Sequence, residues 1–339
     1  MFKLPVSIGM GWAKKVILTC SLPTSLSSTA VSRTGQSLKI SQLSTRELSR
    51  NLRNGGINVK IGPFTINLST SLASITDNLN VYYRDYRVAP SEAIADFYIK
   101  LDAPSLLRRW LRPQVTFSFD SHIPFKPLPQ SQAFAMFEWG LNWVIANHAH
   151  QFLIIHAAVL EKQGKALIFP GTPGSGKSTL CAGLVTQGWR LLSDEMALVS
   201  MKSGKLIPVP RPISLKNESI NIIKTIPGEF YVGSPVYDTA KGTVAHMRVP
   251  EDCIAKSEEQ AKPAAIIFPK YRKGSTTDLS PLNKGRTFLA LADNSFNYHV
   301  LGARAFNVMT ALIDQCGCYD FTYQHLDEAY TTMEGLIDG

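Results

Sequence analysis

Charge is scarce in this chain. Of its 339 residues only 18% are charged, below the ~25% usual for globular proteins, and the acidic side chains are the rarer kind, 26 against 35 Lys and Arg. Hydrophobic residues still reach 45%, which excludes a disordered chain and leaves apolar mass for two domains or one large one. No apolar run approaches the ~18 residues needed to cross a bilayer, so no transmembrane segment is expected. Cysteine is sparse too: Cys20, Cys181, Cys253, Cys316 and Cys318 are odd in number and irregular in spacing. That excludes a disulfide framework and a four-cysteine zinc site, and it fits a reducing cytoplasm. The net charge of +9 is not gathered into a basic block; only short groups occur, at Lys14-Lys15, Arg108-Arg109 and "KYRKG" from Lys270 to Gly274. Without a zinc-finger or RNA-binding signature, nucleic acid is not an expected partner. Phosphates, anionic lipid and acidic proteins are the remaining partners that a basic balance attracts.

Residues 1–40, rich in Ser and Thr and weakly periodic, read as a loose tail. "VILTC" within it is too short for the core of an export signal. A small α+β module is expected over residues 41–150, with strands in "NVKIGPFTINL", "ADFYIKL" and "QVTFSF", then a helix over roughly 132–149. A second domain is expected over residues 151–339. There "FLIIHAAVLE" reads as one strand, "ALIFP" as the next, "KSTLCAGLVTQG" as a helix stopped by Gly188, and "WRLLSDEMALV" as another strand region. "AAIIFPKY" is a buried strand, and "GARAFNVMTALIDQCG" and "TYQHLDEAYTTMEGLI" read as two closing helices, with Cys316 and Cys318 at the end of the first. The stretch 236–260 gives no clear pattern.

"GTPGSGKS", from Gly171 to Ser178, satisfies G-x-x-x-x-G-K-[ST] with an apolar strand before it and a helix after it. Its glycines let backbone N–H groups turn inward around phosphates, and the helix N-terminus adds partial positive charge. ATP phosphates are expected over Gly171, Thr172, Pro173, Gly174, Ser175, Gly176, Lys177, Ser178 and Thr179, with Lys177 on the β and γ phosphates and the Ser178 hydroxyl on Mg²⁺. Asp194 and Glu195 follow on the next strand region, where one carboxylate can hold Mg²⁺ and the other take a proton; adjacent like charges push one pKa upward. His156 lies on an apolar strand, where a lone histidine is usually a core residue. A site shared by His148, His150 and His156 matches no familiar ligand spacing.

From "HAAVLEKQGKALIFPGTPGSGKS" through "GWRLLSDEMALV" the chain resembles the C-terminal catalytic domain of HPr kinase/phosphorylase. It is closer still to the divergent branch called HprK-related kinase A, which it also resembles in "IGPFTINL", "WLRPQVTFSFD" and "FEWGLNWVIANHAHQFLIIHAAVLE". The resemblance implies an α/β P-loop fold of the HPr kinase/PEP carboxykinase-like type and an ATP- and Mg²⁺-dependent kinase with a hydroxyl acceptor. It implies His156 as the active-site histidine, Lys177 and Ser178 in their P-loop roles, and Asp194 as general base. The family's second aspartate is Glu195 here. A downstream Glu-Arg-Gly segment of the enzyme proper has no counterpart in "IPVPRPISLKNESI"; Arg211 is the nearest phosphate clamp, and His246 a weaker candidate. That departure argues against HPr as substrate. The related branch implies a Ser or Thr acceptor in a protein or peptide and a small PqqD-like partner, and the resemblance to HPr kinase, a ring-shaped hexamer, implies a homo-oligomer. A small-metabolite kinase acting on serine or a sugar, and a non-enzymatic nucleotide-dependent peptide-binding scaffold or sensor, stay open as alternatives.

Overall fold

The computed structural model describes residues 38–172 and 174–338. The tail reading for the first residues, with Lys14, Lys15 and Cys20, falls outside them apart from its last three positions, as does the assignment of Pro173 to the phosphate loop. Helix α1 (Thr45–Arg53) begins at a capping box: the Ser44 hydroxyl accepts from Glu47 N at 3.2 Å, and the Glu47 carboxylate accepts from Ser44 N at 3.0 Å. The alternating stretch after it folds as an antiparallel hairpin, β1 (Ile57–Ile61) and β2 (Phe64–Thr70). The turn needs glycine at 62, whose φ is +55°, because a Cβ there would stand 2.3 Å from the Pro208 carbonyl oxygen. Helix α2 (Ala73–Tyr82) carries the chain over to β3 (Phe97–Asp102), parallel to β2. A single-turn helix, α3 (Leu107–Trp110), leads to β4 (Gln114–Phe119), and β5 (Leu128–Pro129) closes a sheet in simple order β1 to β5.

Helix α4 (Ala133–His148) has ten buried residues, too many for one stripe. One hydrophobic cluster explains them: it takes in Phe117 of β4, Phe134, Phe137 and Leu141 of α4, and Leu160 and Leu180 of the second half.

Beyond residue 150 the chain builds three more sheets. The strands are β6 (Phe152–Ile155), β7 (Ala157–Lys162), β8 (Lys165–Pro170), β9 (Arg190–Ser193), β10 (Ala197–Ser200), β11 (Leu206–Ile207), β12 (Ile213–Lys216), β13 (Val236–Thr239), β14 (Gly242–Met247), β15 (Lys262–Tyr271), β16 (Asp278–Pro281) and β17 (Gly317–Tyr323). The helices are α5 (Lys177–Thr186), α6 (Glu218–Lys224), α7 (Glu251–Ala255), α8 (Lys284–Asp293), α9 (Tyr298–Leu301), α10 (Ala303–Asp314) and α11 (Leu326–Asp338). The six-stranded sheet has the order β16-β17-β15-β8-β7-β9, with a parallel centre of β8, β15 and β17. β11, β10 and β6 form a small antiparallel sheet, and β12, β14 and β13 another.

Three readings of the sequence are corrected. "FLIIHAAVLE" is two strands that part at His156, and "WRLLSDEMALV" is two strands that part at 194–196. The cause is pairing: Ile155 faces Ala197 in the small sheet, whereas Val159 faces Ser193 in the large one, so both segments change sheets at the same place. The two closing helices are separated by β17, which contains Cys318 and pairs with β15 and β16, so the "CGC" pair does not simply end a helix.

Two glycine-to-alanine changes should have opposite signs. A Cβ at Gly140 would lie 2.1 Å from the Phe117 ring, whereas nothing lies within 4 Å of one at Gly335. In urea unfolding, Gly140→Ala should cost about 1–3 kcal/mol through overpacking, and Gly335→Ala, inside α11, should gain about 0.5–1 kcal/mol.

Candidate functional site

The glycine-rich loop follows β8, the central parallel strand next to β15. Gly174 and Gly176 both have φ of +89°, and Gly176 caps α5. Two tyrosines at the ends of the neighbouring parallel strands clamp this turn. The Tyr323 hydroxyl donates to the Gly176 carbonyl at 3.0 Å, and Tyr271 N donates to the Ser175 carbonyl at 3.0 Å. A Cβ on Gly176 would stand 2.5 Å from the Tyr323 hydroxyl and 2.9 Å from Tyr271 Cβ, so no larger residue fits. Thr172 and Gly174 are exposed, while Ser175, Ser178 and Thr179 are half-buried. The first N–H groups of α5 have no intrahelical acceptor and face the loop side.

Lys177 starts α5 and is buried, and its Nζ has no hydrogen-bond partner. Burial pulls the ammonium pKa down against the pull of Asp194 and Glu195. Asp194 is buried as well. Its Oδ2 accepts from Ser214 N at 3.1 Å, but its Oδ1 has no partner. Burial, then the neighbouring Glu195, raise the Asp194 carboxyl above its usual range. A lysine and an aspartate in one buried site thus each keep a bare polar atom.

Glu195 behaves in the opposite way. Burial would raise it, but Lys241, Lys216 and Lys177 outweigh that and hold it down to about 2. Lys216 Nζ stands 3.8 Å from its Oε1, and the Asn142 amide donates to its Oε2. His156 occupies the break between β6 and β7, with its backbone N–H donating to the Asn294 carbonyl at 2.7 Å and its ring 5.5 Å from that of Phe296. Burial, then Lys177, lower its pKa to about 4, so the imidazole is neutral at neutral pH. The structure therefore gathers the glycine-rich loop, Lys177, His156, Asp194 and Glu195 at the double crossing between sheets.

Arg211 sits elsewhere in the network. It is buried, with Nη1 donating to Glu138 Oε2 at 3.3 Å and Nη2 donating to Asn142 Oδ1. The Tyr83 hydroxyl donates to Glu138 Oε1 at 2.6 Å. Burial lifts Glu138 to about 7, against the pull of Arg211 and Tyr83. Glu138 and Asn142, four apart on α4, share a face, so the helix links Tyr83, Glu138, Arg211, Asn142 and Glu195 in one chain of hydrogen bonds. A cavity of about 10 Å³ beside them, room for roughly one water, is lined by Trp139, Asp194 and Pro212 as well. Sequence reading missed Tyr83, Glu138 and Asn142; a carboxylate inside the apolar run "AFAMFEWGL" was the available signal. His246 is buried in aromatic surroundings, its ring 5.0 Å from Phe134 and 6.0 Å from Tyr82.

Among the described residues no three His, Cys, Asp or Glu side chains stand together as a metal cage. Mg²⁺ does not need one. It keeps several waters and binds one or two carboxylates plus substrate phosphates, and the hard oxygens of Ser178, Glu195 and the unpartnered Asp194 Oδ1 suit it.

A family model described as "SynChlorMet cassette protein ScmC" matches residues 128–214, from β5 through α4, the glycine-rich loop and the acidic pair to Ser214. No curated protein matches the chain.

The Glu138–Arg211 pair can be tested by removing its halves. Glu138→Leu should cost about 3 kcal/mol in urea unfolding, because a buried guanidinium loses its counter-charge. The double change Glu138→Leu/Arg211→Met should recover most of that loss.

Proposed function

We propose that the chain is an ATP- and Mg²⁺-dependent kinase on an α/β P-loop fold of the HPr kinase/PEP carboxykinase-like type. The observation that carries this reading is the pair of atoms Lys177 Nζ and Asp194 Oδ1, both buried and both without a hydrogen-bond partner. Burying opposite charges without joining them is costly, and a ligand that both groups serve offsets the cost. The loop ahead of Lys177 has the geometry for phosphates, with its positive-φ glycines and an open helix N-terminus.

In this reading the loop backbone cradles the phosphates and Lys177 neutralises charge on the transferring group. Ser178 and Glu195 would hold Mg²⁺, which supplies further positive charge to the phosphate oxygens. Asp194, whose proton affinity is raised, takes the proton of the acceptor hydroxyl. The acceptor oxygen bonds to the γ phosphorus, the bond from that phosphorus to the bridging oxygen breaks, and ADP leaves. His156, neutral at the same crossing, orients the acceptor hydroxyl by a hydrogen bond. Arg211 acts through Asn142 to fix Glu195. The acceptor we favour is a Ser or Thr of a protein or peptide, and the net charge of +9 suits an acidic one. Any PqqD-like partner or homo-oligomer rests on the family resemblance alone.

Purified protein titrated calorimetrically with a non-hydrolysable ATP analogue and Mg²⁺ should bind it. Lys177→Ala should weaken that binding by about a hundredfold, the scale of a lost charged contact, with an unchanged circular dichroism spectrum. With labelled ATP and a lysate of the source cells, wild type should label a macromolecule and Asp194→Asn should not. Undiminished binding by the Lys177 variant would place the phosphates elsewhere. Binding without labelling in any lysate would favour the sensor or scaffold.

A further inference from the structure

The connection from β3 to β4 wears its amphipathic pattern inside out. In "SLLRRWLR" every apolar side chain is exposed, Leu106 to 83%, Leu107 to 65%, Trp110 to 82% and Leu111 to 59%, along with Ser105 and Arg112 at the two ends. Leu106 and Trp110 are four apart, Leu107 and Trp110 three apart, so they share the outer face of the single turn α3. Arg108 and Arg109 are half-buried behind them, and Arg109 donates to the Ser71 hydroxyl, which anchors the turn to the sheet. Arg108 and Arg112 enter no ion pair among the described residues.

We infer that this turn is a membrane-docking tip that inserts Leu106, Leu107, Trp110 and Leu111 into the interface of an anionic bilayer, with Arg108 and Arg112 on lipid phosphates. Three features select a bilayer over a protein. All four apolar side chains are more than half exposed, so they lie open to solvent instead of lining a groove. The tip offers four apolar side chains on a single turn, against the roughly 20–30 residues a side of a stable protein interface. Trp flanked by Leu and Arg is the side-chain set that settles at the boundary of headgroups and acyl chains, and the net charge of +9 adds attraction to an anionic surface. None of these residues belongs to the proposed kinase site, so the inference stands or falls independently of that reading.

The test is co-sedimentation of the full chain with vesicles of equal parts phosphatidylcholine and phosphatidylglycerol, beside vesicles of phosphatidylcholine alone. The wild type should pellet with the mixed vesicles, much less with the neutral ones, and less as salt rises. Leu107→Ser/Trp110→Ser and Arg108→Glu/Arg112→Glu should each weaken binding by about tenfold or more, with circular dichroism unchanged because the substituted side chains are exposed or half-buried. Failure of the wild type to pellet with mixed vesicles would overturn the inference, as would a Leu107→Ser/Trp110→Ser variant that binds like wild type. Light scattering that shows a wild-type dimer, a monomeric Leu107→Ser/Trp110→Ser variant and no vesicle binding would assign the tip to a second copy of the chain instead.

Discussion

A buried ammonium and a buried carboxylate are kept from pairing with each other, and much of the surrounding architecture serves that separation. Lys177 is fixed at the first position of α5, and Asp194 by a hydrogen bond from the backbone of β12. Left to themselves the two groups would lower their energy by meeting or by neutralising. The directions of their pKa shifts, lysine down and aspartate up, express that tendency. Glu195 beside them goes the other way, since three lysines hold it ionised. Two adjacent carboxylates in one site thus acquire different chemistry, one nearer to accepting a proton and the other a fixed anion.

The scaffold achieves this with two strands that leave one sheet for another at the same level. At such a crossing the backbone is released from its ladder, and side chains from both strands, His156 on one and Asp194 with Glu195 on the other, come together. The glycine-rich turn is held from the opposite side by Tyr271 and Tyr323, at the ends of β15 and β17. From the first half of the chain, α4 contributes Glu138 and Asn142, so the five-stranded sheet and its helix support the acidic pair although they carry none of the glycine-rich-loop residues.

The parts of this arrangement legible in the sequence were the contiguous ones. The loop from Gly171 to Ser178 and the Asp194–Glu195 pair are short, local patterns flanked by clear apolar runs. The β1–β2 hairpin, β3, β4 and α4 followed from periodicity in the same way. Periodicity does not say which sheet a strand joins, so the breaks at His156 and at 194–196 could not be seen; they are set by partners far along the chain. β17 was hidden because it lies between two helical patterns that overlap both its ends, at Gly317 and at Thr322–Tyr323. The partners of Arg211, Glu138 and Asn142, could not be read beside it because they lie 73 and 69 positions earlier. Only the fold brings them together.

What lies between Lys177 and Asp194 in the filled site decides whether the two groups serve a nucleotide. A crystal structure with Mg²⁺ and a non-hydrolysable ATP analogue decides this most directly. Lys177 Nζ should then stand within hydrogen-bond distance of a terminal phosphate oxygen, and Asp194 Oδ1 should face open space in line with the γ phosphorus. A filled structure in which Lys177 and Asp194 bond to each other, or in which the phosphates lie away from the loop at Gly171–Ser178, would contradict the kinase reading.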